Sequence, residues 1–261
     1  MHAIVNIALK AARDASEVLA HNSDRLDRVR VLEPDGDGSI TNMHIDSEKT
    51  IIFHLQKAYP EYGVQSAVSG IIEGSDPDNV WIIDPLCGAN NYMRGLGQFG
   101  VSIALATAGR VNHCVLVNPM LREEFTASRG AGAQVNSQKL RVSNRKTLAG
   151  GTAILETQPG NSAHNAIVSA MTPALLELGC DIRLGASPAL DLAYVAAGRY
   201  DAAWVSNEAS ESMAAALLLL QESGALISDA KGNPVLAGSK ELVTGNAKCF
   251  KQLLQSRQSA S

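Results

Sequence analysis

The stretch Val80-Trp-Ile-Ile-Asp-Pro-Leu-Cys-Gly-Ala-Asn-Asn91 constrains this chain most, because an apolar run there delivers an acidic group straight into a turn bearing proline and glycine. Val80, Trp81, Ile82 and Ile83 have the β-branched and aromatic content of a buried strand. Pro85 has no N–H to give to a central ladder just after Asp84, which predicts that Asp84 sits at a strand end. Strand ends followed by irregular backbone are where α/β proteins place their chemistry. Gly88, Ala89 and Asn90 then supply small side chains and backbone N–H groups that would cradle an anion if a helix starts near Ala89. On spacing alone, the same letters also describe a plain strand and turn with one solvated Asp, since Asp and Gly are turn residues first.

A chain of 261 residues can bury a substantial core, as one large unit or as two subdomains sharing a cleft. Its net charge of −4 offers no bulk attraction to nucleic acid or anionic lipid, so direct nucleic-acid binding is not expected. No run approaches the roughly 20 apolar residues that span a bilayer, and residues 1–10 lack a basic segment followed by an apolar core. The expectation is a cytoplasmic protein with no membrane association. Cys87, Cys114, Cys180 and Cys249 lie far apart without a C-x-x-C pair, the pattern of reduced thiols rather than of a disulfide framework or structural zinc.

Ile4, Ile7, Ala8, Ala11, Ala12, Ala15, Val18 and Leu19 recur at helical spacing, with Lys10, Arg13, Asp14 and Glu17 mostly between them. Residues 34–39, Pro-Asp-Gly-Asp-Gly-Ser, read as a loop able to cover a site. A second helix is predicted from about Asn42 to Ala58, ended by Tyr59-Pro60, with His54 on one of its faces. Residues 99–107, 111–117 and 124–127 read as an antiparallel meander broken at Ala108-Gly109 and Asn118-Pro119. The run Arg129-Gly-Ala-Gly-Ala133 looks like a phosphate loop but lacks the Lys and the strand-then-helix setting, so it reads as a β-turn. Further on, strands at 151–156, 181–184, 202–205 and 225–228 alternate with helices at 163–178, 188–198 and 210–223.

Five stretches together resemble the inositol monophosphatase family over nearly the whole chain, and most of all its bacterial SuhB branch. They are Trp81-Ile-Ile-Asp-Pro-Leu86, Val101-Ser-Ile-Ala104, Gly130-Ala-Gly-Ala133 with Asn136, Ala189-Leu-Asp-Leu-Ala-Tyr-Val-Ala-Ala-Gly198, and Thr244-Gly-Asn246. The resemblance implies an α/β (α+β) fold, the layered αβαβα sandwich of the sugar phosphatases. It also implies a single domain over residues 1–261 with subdomains of roughly 1–147 and 148–261, a homodimer, and a Mg²⁺-dependent site between the layers.

Such a site needs clustered carboxylates, because Mg²⁺ is a hard cation that takes oxygen ligands and activates water against a phosphate ester. Here the family's cluster is mostly replaced. Its Glu-Glu-Ser corresponds to Ala67-Val68-Ser69, and its Asp-Pro-Leu/Ile-Asp-Gly-Thr-Thr to Asp84-Pro85-Leu86-Cys87-Gly88-Ala89-Asn90. By that correspondence Asp84 and the Leu86 carbonyl remain as metal-ligand positions of low expected occupancy. Cys87 stands in for a bridging Asp, Ala89 for the Thr that helps hold the attacking water, and Gly88, Ala89 and Asn90 form the phosphate loop. The family's Trp-Asp pair becomes Glu211-Ser212, a water-orienting Asp becomes His44, the loop lysine Pro34, and the inositol-contacting Glu Val205. Adjacent helical residues point about 100° apart, so Glu211 does not inherit the role lost at Ser212.

Losing one outer partner of a metal typically costs about 10–100-fold in affinity or activity, so three lost ligands predict no intact catalytic residue and no bound cofactor. The leading expectation is a family member without Mg²⁺-dependent phosphatase activity that acts by binding, in the manner of SuhB-type partners of transcription complexes on ribosomal RNA operons. The alternative is a Mg²⁺-dependent inositol-1-monophosphatase whose lost ligands are replaced from elsewhere. A third reading makes His44, Asp84 and Cys87 a mixed set better suited to Zn²⁺, lacking a fourth ligand.

Overall fold

The computed structural model describes residues 2–33, 40–185, 187–206, 211–235 and 239–260. The loop at 34–39, and with it Pro34, lies outside the described residues, as does Ser210. The chain opens with α1 (Ala3–Asn22), β1 (Val31–Glu33), β2 (Ile40–Thr41) and α2 (Asn42–Ala58). Strands β3 (Tyr62–Ser66), β4 (Gly70–Ile72) and β5 (Asp76–Cys87) lead to the short helix α3 (Ala89–Tyr92). Then come β6 (Gly100–Thr107), β7 (Arg110–Asn118), β8 (Glu123–Ser128), β9 (Gly132–Val135) and β10 (Gln138–Lys139). The second half alternates, with β11 (Thr152–Glu156), α4 (Ser162–Glu177), β12 (Asp181–Gly185), α5 (Pro188–Ala196), β13 (Ala202–Ser206) and α6 (Glu211–Ser223). It is completed by β14 (Leu226–Ser228), β15 (Glu241–Gly245) and α7 (Ala247–Ser259).

Eight strands form one sheet in the order β10-β9-β8-β7-β6-β5-β3-β4, and five form another in the order β12-β11-β13-β15-β14. In the large sheet only β3 and β5 run parallel; in the small one β12, β11 and β13 are parallel, and β15 is antiparallel to both of its neighbours. Strand alternation sorts the side chains into layers. On β6, Val101, Ile103 and Leu105 pack with α1 and α2, whereas Ala104 faces α5 and α6. On β13, Ala203 and Val205 join that same α5/α6 layer, whereas Ala202 and Trp204 turn outward to α4 and α7. The stack is therefore helix, sheet, helix, sheet, helix, the expected αβαβα sandwich.

The helix between the sheets must be apolar all round. In α6, Met213, Ala215, Ala216, Leu218, Leu219 and Leu220 are all buried. Helix α1 buries one stripe instead, built largely of Ala8, Ala11, Ala12 and Ala15, whose small side chains let it lie close to the sheet and to α2. His54 sits on a face of α2, as its spacing predicts, with Nε2 2.8 Å from the Asp14 carboxylate. The four cysteines are buried free thiols. Among the described residues, no helix is long and apolar enough to cross a membrane.

One expectation is corrected. Strand β5 does not end at Asp84 but continues through Pro85 to Cys87. Proline is tolerated because β3 stops pairing at Ile83, with the Ala67 N–H closing that edge on the Ile83 carbonyl at 3.1 Å. On the other side, the register with β6 slips between Asp84 and Cys87, and such an irregularity absorbs a residue without a donor. The residue patterns also gave no hint of β1, β2, β15 or α7.

Candidate functional site

Ile82 and Cys87 pack into the α5/α6 layer while Trp81, Ile83 and Leu86 pack toward α1 and α2, so β5 presents Asp84 to α6. There its carboxylate accepts hydrogen bonds from the Ser212 hydroxyl and from the Leu86 N–H, the latter at 3.0 Å. Burial pushes the Asp84 pKa up to about 6; the two hydrogen bonds oppose this and the charge of nearby Glu211 adds to it. Glu211, in the first turn of α6, accepts a bond of 3.1 Å from Gln65 Nε2. Opposite Asp84 in the ladder stands Ser102, whose buried hydroxyl has no hydrogen-bond partner among the described residues. Burial also holds the Cys87 thiol well above its ordinary pKa, with Asp84 adding to the effect, so Cys87 is a neutral thiol.

His44 serves a different purpose. It is the third residue of α2, and its Nδ1 accepts the Thr41 N–H at 3.1 Å in a capping box. Burial lowers its pKa to about 4, against the opposing charge of Glu48, so the ring is neutral at pH 7. Glu48, one turn further, is buried and accepts the Ser66 hydroxyl and, at 3.0 Å, the Ser69 N–H. It fixes the turn that carries Ala67. The residue patterns did not single out Glu48, although its spacing of four from His44 places both on one helix face.

Gly88 is left-handed, at φ 81°, and a Cβ there would lie 2.6 Å from the Gln98 carbonyl and 3.0 Å from Ser187 Oγ. Gly88-Ala89-Asn90 thus abuts the start of α5. Ser187 is 2% exposed and its hydroxyl has no partner among the described residues, while its N–H donates to Asp191 at 3.3 Å. Burial raises Asp191 to about 6, with that N–H opposing. Neither Ser187 nor Asp191 was singled out from the sequence. The loop does lead into a helix at Ala89, but α3 is only four residues long. Val205 is fully buried between the sheets. The glycine run at Gly130 is a turn, as read, and its Gly130 and Gly132 N–H groups hold the chain's own Glu222 carboxylate at 2.8 Å each.

These donors do not fit Mg²⁺. Asp84 is the carboxylate that the resemblance implies at a metal-ligand position, and it is engaged by Leu86 and Ser212. The other positions offer a methyl group at Ala67, a neutral thiol at Cys87 and a hydroxyl at Ser212. Hard cations of this kind require several anionic or carbonyl oxygens. Among the described residues, no three His, Cys, Asp or Glu side chains gather into a group that could hold a metal ion, so His44, Asp84 and Cys87 are not assembled as one.

A model of the inositol monophosphatase family matches residues 1–261. The Nus factor SuhB of Pseudomonas aeruginosa is 42% identical over 261 residues, an alignment covering 97% of this chain and 95% of that protein. The Nus factor SuhB of Escherichia coli K12 is 38% identical, with coverage of 97% and 95%. The crystal structure of the extragenic suppressor protein suhB from Bartonella henselae superposes with a TM-score of 0.93 at 31% identity, covering 98% of this chain and 99% of that one. The inositol monophosphatase of Thermotoga maritima shares the fold, with a TM-score of 0.89 at 24% identity and coverage of 99% and 98%.

Proposed function

Because the chain belongs to the inositol monophosphatase family and is SuhB-like within it, we propose that it is a member without Mg²⁺-dependent phosphatase activity that works by binding, as a protein partner in a transcription complex. The observation that carries this reading is the occupancy of one small region. Ala67, Cys87 and Ser212 stand where metals would need anionic oxygens, and the remaining Asp84 is bound internally. Without those cations, neither the attacking water nor the leaving alkoxide is stabilised. The same replacements favour the fold, because clustered buried carboxylates repel one another and are costly to desolvate when no cation is bound. The name Nus factor, carried by relatives at 38% and 42% identity, supports the choice of a transcription complex as the partner. The reading takes residues 1–261 as one domain acting as a homodimer in the cytoplasm.

Phosphate release from inositol 1-phosphate in excess Mg²⁺ tests the first half. The unmodified protein should release none, whereas a variant carrying Ala67→Glu, Cys87→Asp, Ala89→Thr and Ser212→Asp, with His44→Asp added if needed, should gain activity. Li⁺-sensitive turnover by the unmodified protein would establish the alternative, a working inositol-1-monophosphatase. For the second half, a tagged copy expressed in its host should co-purify with RNA polymerase and Nus factors, and failure to enrich them removes the transcription reading.

A further inference from the structure

On the face of the large sheet opposite to Asp84, a cavity of about 530 Å³ lies at the start of α1. Phe125 and Ala127 belong to the layer between the sheets, so Thr126 and Ser128 turn to the α1 side. Over the sheet, helix α1 packs chiefly on β6 and β7 and meets β8 only at its edge, through pairs such as Arg13 with Glu124. The cavity lining includes His2, Val5, Thr126, Ser128, Gly132 and Gln134. The volume falls within the range of about 300–1,000 Å³ usual for organic ligands and exceeds what a bare ion fills.

Two independent observations give the cavity its chemistry. Helix α1 is 20 residues long and starts uncapped; His2 makes no side-chain cap bond, and no acidic residue lies in the first turn. Among the described residues, no side chain therefore answers its leading N–H groups or the positive end of its dipole. Separately, Thr126 is only 7% exposed, lines the cavity, and makes no side-chain hydrogen bond among the described residues. Beside them, the His2 and His113 rings are 4.9 Å apart, and His113 Nδ1 lies 2.9 Å from Ser128 Oγ. The nearby carboxylates are already occupied, Glu124 by Arg13 at 2.6 Å and Glu222 by the Gly130 and Gly132 amides.

We propose that this cavity binds a small organic oxyanion, a phosphate monoester or a carboxylate, whose charged oxygens are received by the first-turn amides of α1 and the Thr126 hydroxyl. The site is separate from the Asp84 region and stands whether or not the chain is a phosphatase. NMR titration of the full chain with inorganic phosphate, glycerol 3-phosphate and acetate, each against sodium chloride of equal ionic strength, tests it. Saturable shifts of the Ala3, Ile4 and Val5 amides and of the His2 and His113 rings are expected. Thr126→Val, which removes the hydroxyl and keeps the shape, should weaken binding about tenfold. Gln134→Trp, which fills the mouth, should abolish it. Tighter binding of the phosphates than of acetate identifies a phosphate site, and the reverse a carboxylate site. If no probe moves the Ala3–Val5 amides, or if Thr126→Val binds as tightly as the parent, the proposal is overturned. Shifts confined to Gly88, Ala89 and Asn90 overturn it as well.

Discussion

Replacing Asp191 by Asn should stabilise the protein above neutral pH and lose most of that advantage in acid. Asp191 lies in the first turn of α5, held so close to Gly185 that a Cβ there would come within 2.4 Å of its Oδ2. Burial raises its pKa from 3.8 to about 6. A folded pKa above the unfolded one means that the native state binds the proton more tightly. The associated stability is complete below about pH 4 and is lost as pH rises through about 6. The full difference corresponds to roughly 3 kcal/mol at pH 8, which water reaching the outer edge of this half-buried group reduces to about 1–2 kcal/mol. Asn cannot ionise and keeps an oxygen for the Ser187 N–H. Urea unfolding at pH 4.5, 6 and 8 should show the variant about 1–2 kcal/mol more stable at pH 8, equivalent to roughly 3–6 °C in Tm, and less than half as much at pH 4.5. An equal gain at all three values, or a loss at pH 8, would refute the assignment of the raised pKa to buried charge.

Gly88→Ala should destabilise by roughly 2–4 kcal/mol in urea, because a left-handed φ of 81° is combined with a Cβ driven to 2.6 Å from the Gln98 carbonyl; an unchanged midpoint would mean that the loop relaxes freely. Glu222→Gln should cost about 1–2 kcal/mol and speed hydrogen exchange at the Gly130 and Gly132 amides, and unaltered exchange there would count against the carboxylate clasp. Cys87 and Cys114 should resist thiol reagents at pH 8 until the protein unfolds, since both are buried and burial raises Cys114 to about 12; prompt labelling of either would contradict their placement.

Elements governed by local periodicity were legible. The stripe of α1, the proline stop of α2 and the turns of the meander each depend on residues within a few positions of one another. Pro85 misled because a missing N–H matters only where a neighbouring strand offers a carbonyl, and the sequence does not say that β3 stops pairing at Ile83. Helix α7 escaped notice because it buries little, chiefly Cys249, Leu253 and Arg257. It is held instead by Asn246 capping its N-terminus and by the Arg257 pair with Glu241, whose carboxylate also accepts Trp204 Nε1. At the site, matched stretches led to Asp84 and Ser212, which meet although they are far apart in the chain. The same stretches could not convey that Glu48 supports the Ala67 turn or that Ser187 abuts Gly88, because those relations exist only once β3, β5 and α5 are assembled. The Thr41–His44 capping box is local, but histidine is not the Glu or Gln that marks such a box in a sequence.

The order β12-β11-β13-β15-β14 also bears on how the protein is made. Strand β14 is joined to the sheet solely through β15, and β15 follows it by more than a dozen residues. While residues 241–245 are still untranslated, β14 has no neighbour to pair with and β13 carries an open edge at Ala202–Ser206. The large sheet has no such dependence, since all its strands precede Leu140. During synthesis the nascent chain can thus complete its first sheet long before its second, and a ribosome stalled short of Glu241 would present an adhesive strand edge to chaperones and proteases.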